Sequence, residues 1–301
     1  DLSKQRTREI IEAQGQDPNS KIGAAYASFM DEAAIEAKGL APFDPWLSQV
    51  RALDSRDDYE ALLTKAERMG ISGPFGMYVS VDDKQNTQYA LTLFQGGIGM
   101  PDRDYYLSDD PKIAETRAKY LQHLTNVLTL AGEDNAAARA KAILDFETGV
   151  AKTHWTQVES RDATKTYNKL TIAELQRRAP GFNFRAYLDG VGAKGDQLIV
   201  YQPSAFTGIA KAIQGAPLQV LKDQLLVRSL SGYGAVLPKE IDDTVFGFYG
   251  TTLNGTPQQE ERWKRGVTFT TGALADDISQ VYVQRHFPPE TKAAADELVK
   301  D

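Results

Sequence analysis

The strongest structural signals in the chain lie in residues 75–107, which read FGMYVSVDDKQNTQYALTLFQGGIGMPDRDYYL. Side chains alternate with a period of two over residues 75–81 and again over 88–94, as they do in half-buried strands. The connecting residues 82–86 are rich in turn formers, so we predict a β-hairpin near residues 75–94. An isolated hairpin is only marginally stable in water, and we therefore expect it to pack on other elements.

Helical patterns fill most of the chain on both sides of the hairpin. Ser55 and Thr171 each begin a capping box, in which a hydroxyl and a later carboxylate bond the free amides of a first helical turn. Asp110-Pro111 opens another helix, because proline suits the first helical position. Weaker helical patterns cover residues 21–38, 136–153 and 217–231.

The longest predicted helix spans about residues 257–286. Thr256 is placed to cap it, Pro257 would occupy its first position, and apolar residues then recur at helical spacing. Pro288-Pro289 would end it. We predict a mainly α fold, a multi-helix lobe with one β-hairpin, in which this helix is a structural spine.

Composition excludes several classes of function. The net charge is −7 with acidic and basic residues interspersed, whereas a nucleic-acid partner requires a basic face. The chain has no cysteine, which excludes disulfides, thiolate metal sites and cysteine nucleophiles. No apolar run approaches the roughly 18 residues of a membrane span. The sequence begins without methionine or a secretion-signal pattern, so we interpret it as a mature or truncated product.

Three sequence motifs resemble one known protein family. Residues 95–107 resemble the motif GLGLPDRDYYL of the neprilysin and endothelin-converting-enzyme family of zinc metallopeptidases, and the preceding DDK turn at residues 82–84 matches as well. Residues 167–171, YNKLT, resemble the family's YNKMT, and residues 262–265, RWKR, resemble its RWKRC. The motifs occur in the family's order over roughly residues 20–290, and the chain is identified as a member of this family on them.

We interpret the matching residues as structural. They are Gln95, Gly99, Pro101, Asp102, Arg103, Asp104, Tyr105, Tyr106, Tyr167, Asn168, Arg262 and Trp263. Asp102, Arg103 and Asp104 would form a charge cluster that fixes the loop after the hairpin, with the following tyrosines packed beneath it. Arg262 and Trp263 would be a helix-packing pair. Direct contact with substrate is the alternative for both groups.

The resemblance implies zinc catalysis, but the motif that holds zinc is missing from this sequence. In the family, two histidines four residues apart on one helix bind zinc, a glutamate between them is the general base, and a further glutamate completes the site. The three histidines here, His123, His154 and His286, do not pair at that spacing. Glu147 lies seven residues before His154, and the two would make a poor metal site at most. We therefore predict no catalytic and no metal-binding residue in this chain, and assign no substrate-binding residue.

In the family, the catalytic motifs follow the region that is matched here. The resemblance then implies that residues 1–301 are the N-terminal, mostly helical, lid-side region of a two-lobed zinc metalloendopeptidase that hydrolyses oligopeptides. This region would cover the substrate chamber, with the catalytic lobe as its partner, and would be inactive alone and bind no zinc. Family members are commonly periplasmic, secreted or membrane-anchored.

A second hypothesis comes from a different functional class. The chain could be a non-catalytic helical binding or scaffold protein derived from the same fold. A His-Glu-x-x-His motif further along the gene favours the enzyme, and its absence there favours the scaffold.

Overall fold

The computed structural model describes residues 2–298 and confirms a mainly α fold. Its residues form two compact units, which are described separately below. The first unit combines residues 1–39 with residues 256–301, and the second unit is the continuous segment 40–255. None of the helices in the described part of the chain has the length and apolar character needed to cross a membrane.

The elements are numbered in chain order. The helices are α1 (Leu2–Gln14), α2 (Lys21–Met30), α3 (Glu32–Lys38), α4 (Asp44–Arg51), α5 (Arg56–Arg68), α6 (Asp104–Leu107), α7 (Pro111–Leu130), α8 (Ala136–Ala151), α9 (Gln157–Ser160), α10 (Ala163–Thr166), α11 (Ile172–Arg178), α12 (Phe184–Val191), α13 (Pro203–Gly215), α14 (Leu218–Tyr233), α15 (Lys239–Val245), α16 (Arg262–His286) and α17 (Pro289–Leu298). The strands are β1 (Phe75–Asp82), β2 (Gln85–Gln95), β3 (Asn168–Thr171) and β4 (Gln197–Val200). A 3-10 helix (Gly234–Val236) and a π-helix (Phe246–Leu253) complete the second unit.

The predicted hairpin is present and belongs to a larger sheet. β1 and β2 pair antiparallel from Phe75 opposite Gln95 to Val81 opposite Tyr89. β4 then joins the other side of β2 in parallel, and β3 pairs antiparallel with β4, so the strand order is β1-β2-β4-β3. The prediction of a single hairpin missed β3 and β4. Each has four residues, which is too short for a period-two pattern to stand out.

The base of the hairpin lies in the core of the second unit. Phe75, the first residue of β1, is 2% exposed and packs among three phenylalanines from the α11–α13 region. Its ring stacks on Phe206 at 4.6 Å and contacts Phe182 and Phe184 at 5.2 Å each. Aromatic contacts of this kind contribute beyond the apolar area that they bury. The core therefore fixes one end of the hairpin.

Three of the predicted helix caps, at Ser55, Asp110 and Thr171, are confirmed, whereas the cap predicted at Thr256 is not formed. Ser55 Oγ accepts the amide of Asp58 at the start of α5, and Asp110 accepts the amide of Lys112 at the start of α7. Thr171 forms both bonds of a capping box at the start of α11. The candidate helix over 21–38 is instead two helices. The side chain of Asp31 caps α3 by accepting the amide of Ala34, and this local bond interrupts the longer helix.

The spine helix begins later than predicted, at Arg262 rather than near residue 257. Residues 256–261 are not helical, and Glu260 accepts two bonds from Lys4 of α1, at 2.9 and 3.1 Å. The local capping pattern at Thr256 is therefore not realised in the fold. The helix is also kinked, because Leu274 has non-helical backbone angles (φ −133°, ψ 39°).

The first unit has a small core of its own, formed by Ile11, Ile22, Tyr26, Val267 and Ile278. α2 and α16 approach closely at Gly266, where an added Cβ would lie 2.8 Å from the ring of Tyr26. The absence of a side chain at this position permits the close contact between the two helices.

Candidate functional site

The loop after the hairpin, residues 95–107, is fixed by a buried carboxylate of α8. Glu147 is 1% exposed, and its Oε2 accepts hydrogen bonds from the hydroxyls of Tyr106 at 2.7 Å and Tyr120 at 2.9 Å. The amide of Gly99 donates to the same oxygen at 3.2 Å. One carboxylate oxygen thus connects Gly99, in the first part of the loop, to α6 at the end of the loop and to α7.

The second oxygen of Glu147 joins the loop to α14. Its Oε1 accepts from Gln224 Nε2 at 2.6 Å and forms an ion pair with Arg228 at 3.4 Å. Gln224 also donates to the carbonyl of Gly97 at 3.2 Å. A buried carboxylate is stable only when its lone pairs are used in this way, so these partners compensate its desolvation.

The hydroxyl of Tyr106 is the second fixed point of the loop. It accepts the amides of Gly99 and Met100, both at 3.0 Å, while donating to Glu147. Burial, followed by the nearby carboxylate, raises the pKa of Tyr106 well above its usual range. The phenol therefore keeps its proton and remains a donor at physiological pH. We predicted that Tyr106 packs beneath the loop, and its ring is indeed 4% exposed.

Gly99 is required by the closeness of α7. A Cβ at this position would lie 1.9 Å from the hydroxyl oxygen of Tyr120, which the network needs in place. The carbonyl of Gly99 accepts a bond from Tyr249 of the π-helix at 3.3 Å. The glycine at this position of the motif is therefore explained by its close packing against Tyr120 of α7.

The charged residues of the loop do not form ion pairs with one another. Asp102 Oδ1 accepts the amide of Asp104 at 2.8 Å, and its Oδ2 accepts Gln157 Nε2 at 2.6 Å. Arg103 Nε is shielded from solvent and has no hydrogen-bond partner among the described residues. Pro101 and Asp104 are exposed, and Tyr105 is half-buried. Asp102 orders the start of α6, whereas a charge cluster of the three residues does not form.

The start of the loop is tied to the segment after α8. Gln95 bonds the main chain of Trp155 in both directions, donating at 3.1 Å and accepting at 2.8 Å. His154 Nε2 donates to the carbonyl of Gly96 at 2.8 Å. Burial lowers the pKa of His154, which keeps the ring neutral. The ring nitrogen that faces the loop is therefore engaged by the backbone.

Asp82 is the corresponding anchor at the tip of the hairpin. Its carboxylate accepts the amide of Lys84, the hydroxyl of Tyr167 and the ammonium of Lys169, each at 2.9 Å. The Lys84 amide and the Lys169 side chain lower the pKa of Asp82 to about 2. Asn168 next to them donates to the carbonyl of Val200 at 3.0 Å, which joins β3 to β4. Tyr167 and Asn168 thus fasten the tip of the hairpin to the sheet.

The remaining motif residues lie in the first unit. Arg262 donates through Nε and Nη2 to the carbonyl of Phe29, at 3.0 and 2.5 Å. Its guanidinium also lies 4.0 Å from the centre of the Phe29 ring. Arg8 lies 4.8 Å from the ring of Trp263. These contacts join the start of α16 to the end of α2 and to α1.

The comparisons with known proteins agree with this geometry. The sequence profile described as Peptidase family M13, for the N-terminal part of that family, matches residues 1–301. The chain belongs to peptidase family M13. This assignment confirms the resemblance to the neprilysin and endothelin-converting-enzyme type seen in the sequence.

The M13 chain is similar to longer proteins from animals and bacteria. Endothelin-converting enzyme 1 of Rattus norvegicus is 25% identical over 304 residues, which is 95% of this chain and 39% of that protein. The zinc metalloprotease ZMP1 of Mycobacterium tuberculosis, in its open state, superimposes with a TM-score of 0.91 at 32% identity over 98% of this chain and 47% of ZMP1. PepO of Lactobacillus rhamnosis, at 18% identity and a TM-score of 0.80, shares the fold. The M13 chain thus spans about two-fifths to a half of these proteins.

Over residues 2–298, no group of three or more histidine, cysteine, aspartate or glutamate side chains could hold a metal ion. His123 and His154 are 3% and 5% exposed, and each ring bonds to a backbone carbonyl. Glu147, which the sequence suggested only as a poor partner for His154, is instead the anchor of the motif loop. The sequence signal for this role was the position of Glu147 on an apolar helix face between Ala140 and Val150.

Proposed function

We propose that this M13 chain is the N-terminal, lid-side part of a zinc-dependent metalloendopeptidase that hydrolyses oligopeptides. The family match over residues 1–301 carries the proposal. The likeness to the zinc metalloprotease ZMP1, at 32% identity and a TM-score of 0.91, supports it. The zinc ligands and the general base would then lie in the rest of the protein, outside the sequence described here.

In this proposal the chain covers the substrate chamber and contributes no catalytic group. A chamber wall has to hold its shape while a peptide is bound, because binding and water exclusion act through fixed geometry. The loop 95–107 meets that requirement, since Glu147 and Tyr106 bond its backbone from α8 and α6. Such a cover would admit oligopeptides and exclude folded proteins.

Zinc would polarise the scissile carbonyl and the attacking water when bound to the rest of the protein. In this proposal no hydrolytic step is assigned to the residues of this chain. The chain alone is proposed to be inactive, to bind no zinc, and to be exported to the periplasm or the cell exterior with its catalytic part, with or without a membrane anchor.

Hydrolysis of a quenched oligopeptide tests the proposal. The full-length protein should cleave the peptide, lose activity with a chelator of zinc, and recover it when zinc is returned. The 301-residue chain should cleave nothing under the same conditions, and a folded protein substrate should resist the full-length enzyme. Zinc-dependent cleavage by the chain alone would refute the division of roles. A full-length protein without chelator-sensitive activity would favour the non-catalytic scaffold instead.

A further inference from the structure

β1 is an edge strand whose outer side is unpaired. In the sheet it pairs only with β2, and over residues 2–298 no other strand lies beside it. Apart from a contact of Ser80 Oγ with the carbonyl of Val81 at 3.3 Å, no hydrogen bond reaches the outward backbone groups from residue 77 to residue 81 in the described chain. Unpaired edge groups of this kind are a template for another strand.

The register shows which groups point outward. Leu93 accepts the amide of Tyr201, and the amide of Gln95 donates to Gln202, so these two residues of β2 face β4. Their neighbours Thr92 and Phe94 must therefore face β1, because backbone groups alternate in direction along a strand.

In β1 the residues opposite Thr92 and Phe94 are Tyr78 and Gly76, whose polar groups thus point inward. The amides and carbonyls of Met77, Val79 and Val81 point away from the sheet. They present three donors and three acceptors at the spacing of an extended chain.

Over residues 75–80 the edge has none of the features that usually block strand addition. Natural edges carry charges, prolines or bulges. Residues 75–81, FGMYVSV, contain neither a charge nor a proline, and the bulge occurs only at Val81/Asp82. The adjoining side chains are apolar and solvent-exposed, with Val79 at 66% and Tyr89 at 79%.

We propose that the free edge of β1, residues 77–81, binds the backbone of an extended peptide as an additional strand of the sheet. Strand addition recognises the peptide through main-chain hydrogen bonds, which are independent of sequence, and through the side chains on either face. The choice of a peptide as occupant rests on the proposed function in peptide hydrolysis.

The size of the edge favours a peptide over a second copy of the chain. Five residues span only about 13 Å between the first and last Cα. A stable dimer buries on the order of 1,200–2,000 Å² in total, which an edge of this length does not supply. Two copies would also bring together chains that each have a net charge of −7.

The end of the edge indicates one preference of the peptide. Asp83 follows the strand, is exposed, and has no ion-pair partner among residues 2–298, whereas Asp82 is already bound by Lys169. A lysine or arginine at the adjoining end of the peptide would complement this charge. The site should therefore select uncharged, β-branched or aromatic residues next to one basic residue.

Amide NMR with a capped five-residue peptide of valine, tyrosine and one terminal lysine tests the proposal. In the 301-residue chain, saturating peptide should slow hydrogen exchange at Met77, Val79 and Val81. Val79→Pro removes one outward donor without breaking the β1–β2 ladder, and should weaken binding by about tenfold. The matched control Val79→Thr keeps the donor and should bind within about twofold.

A second variant guards against a folding defect. Val79→Lys places a charge at an exposed position, should leave the thermal midpoint unchanged, and should also weaken binding of the lysine peptide. Equal binding by all variants, or unchanged exchange at the three amides, would overturn the proposal. Exchange that slows with protein concentration in the absence of peptide would assign the edge to a second copy instead.

This binding assay contains neither zinc nor hydrolysis, so its outcome is separate from that of the proposed activity. Peptide binding without any chelator-sensitive hydrolysis by the full-length protein would refute the activity alone. Unchanged hydrolysis kinetics in full-length Val79→Pro would be compatible with the proposed activity and would show that the β1 edge takes no part in it.

Discussion

The loop that follows the base of the hairpin and the tip of the hairpin are each fixed by a buried carboxylate, and the two carboxylates are held differently. Glu147 at the base and Asp82 at the tip are each 1% exposed. Glu147 lies in the core among phenols, an amide and Arg228, where water cannot replace a lost partner. Asp82 lies beside an exposed turn, where Lys169 and a backbone amide cover it. Equal exposure of two side chains therefore does not imply that they depend equally on their partners.

Removing the base anchor should give the largest effect. Glu147→Ala leaves Arg228 as an uncompensated buried charge and deprives two tyrosines of their acceptor, so the free energy of unfolding should fall by about 3–5 kcal/mol. Denaturant unfolding measures the change. Asp145→Ala is the matched control on the same helix, since Asp145 forms an exposed pair with Lys141, and it should cost about 0.5 kcal/mol or less. Equal losses in the two variants would contradict the role of Glu147 as a buried anchor.

The surroundings of Glu147 should also respond to pH through His123, whose ring stacks on that of Tyr120 at 6.2 Å. Burial lowers the pKa of His123 to about 4, although a bond to the carbonyl of Thr244 opposes the shift. The unfolded chain, with an ordinary histidine pKa near 6.5, binds this proton more readily, so stability should be constant above pH 6.5 and fall on acidification toward pH 4. The loss approaches about 3 kcal/mol.

His123→Phe tests this dependence in unfolding experiments between pH 8 and 4.5. The variant should lose most of the slope over this range, while any slope from His154 remains. An unchanged slope would show that His123 is not the titrating group.

Single hydroxyls of the base should have an intermediate effect. Tyr106→Phe removes the acceptor of the Met100 amide and one of the two acceptors of the Gly99 amide, and should lower the free energy of unfolding by about 2 kcal/mol. Tyr105→Phe is its neighbour control, because among residues 2–298 the Tyr105 hydroxyl makes no hydrogen bond to the loop. A Tyr105→Phe loss as large as that of Tyr106→Phe would contradict the role of the buried phenol.

The tip should show the smallest effect, confined to strongly acidic solution. The pKa of Asp82 is lowered to about 2 by the Lys84 amide and then Lys169. Its contribution is complete above the unfolded value near 3.9 and is lost as pH falls toward 2. Asp82→Asn should therefore show a shallower decline of the thermal midpoint between pH 4 and 2. A carboxyl NMR titration of Asp82 near its ordinary value would contradict the interpretation.

The sequence predicts those parts of the fold that depend on neighbouring residues. The hairpin and the caps at Ser55, Asp110 and Thr171 are local patterns, and all are present. The predicted start of α16 was wrong: residues 256–261 are not helical, and Glu260 bonds to Lys4, more than 250 positions away in the chain. Local capping signals carry no information about such a contact.

The candidate site was predictable in its residues but not in its connections. The motif 95–107 identifies the loop, and Tyr106 packs beneath it as expected. Glu147 was not recognised as its anchor, because the partners come from α6, α7 and α14 and meet only in the folded unit. The charge cluster expected at Asp102 does not form, since its carboxylate bonds a backbone amide and Gln157 instead. That the motif residues make no contact with substrate remains a prediction.

The parallel pairing of β2 with β4 joins Thr92 to Ile199 and has a consequence for biosynthesis. A ribosome must translate about a hundred further codons after the hairpin emerges before the strand that covers its inner side exists. During that interval both sides of the nascent hairpin are open, and non-local pairing of this kind forms slowly. Newly made chains should therefore depend on chaperones until β4 has been synthesised, and truncations before residue 197 should aggregate.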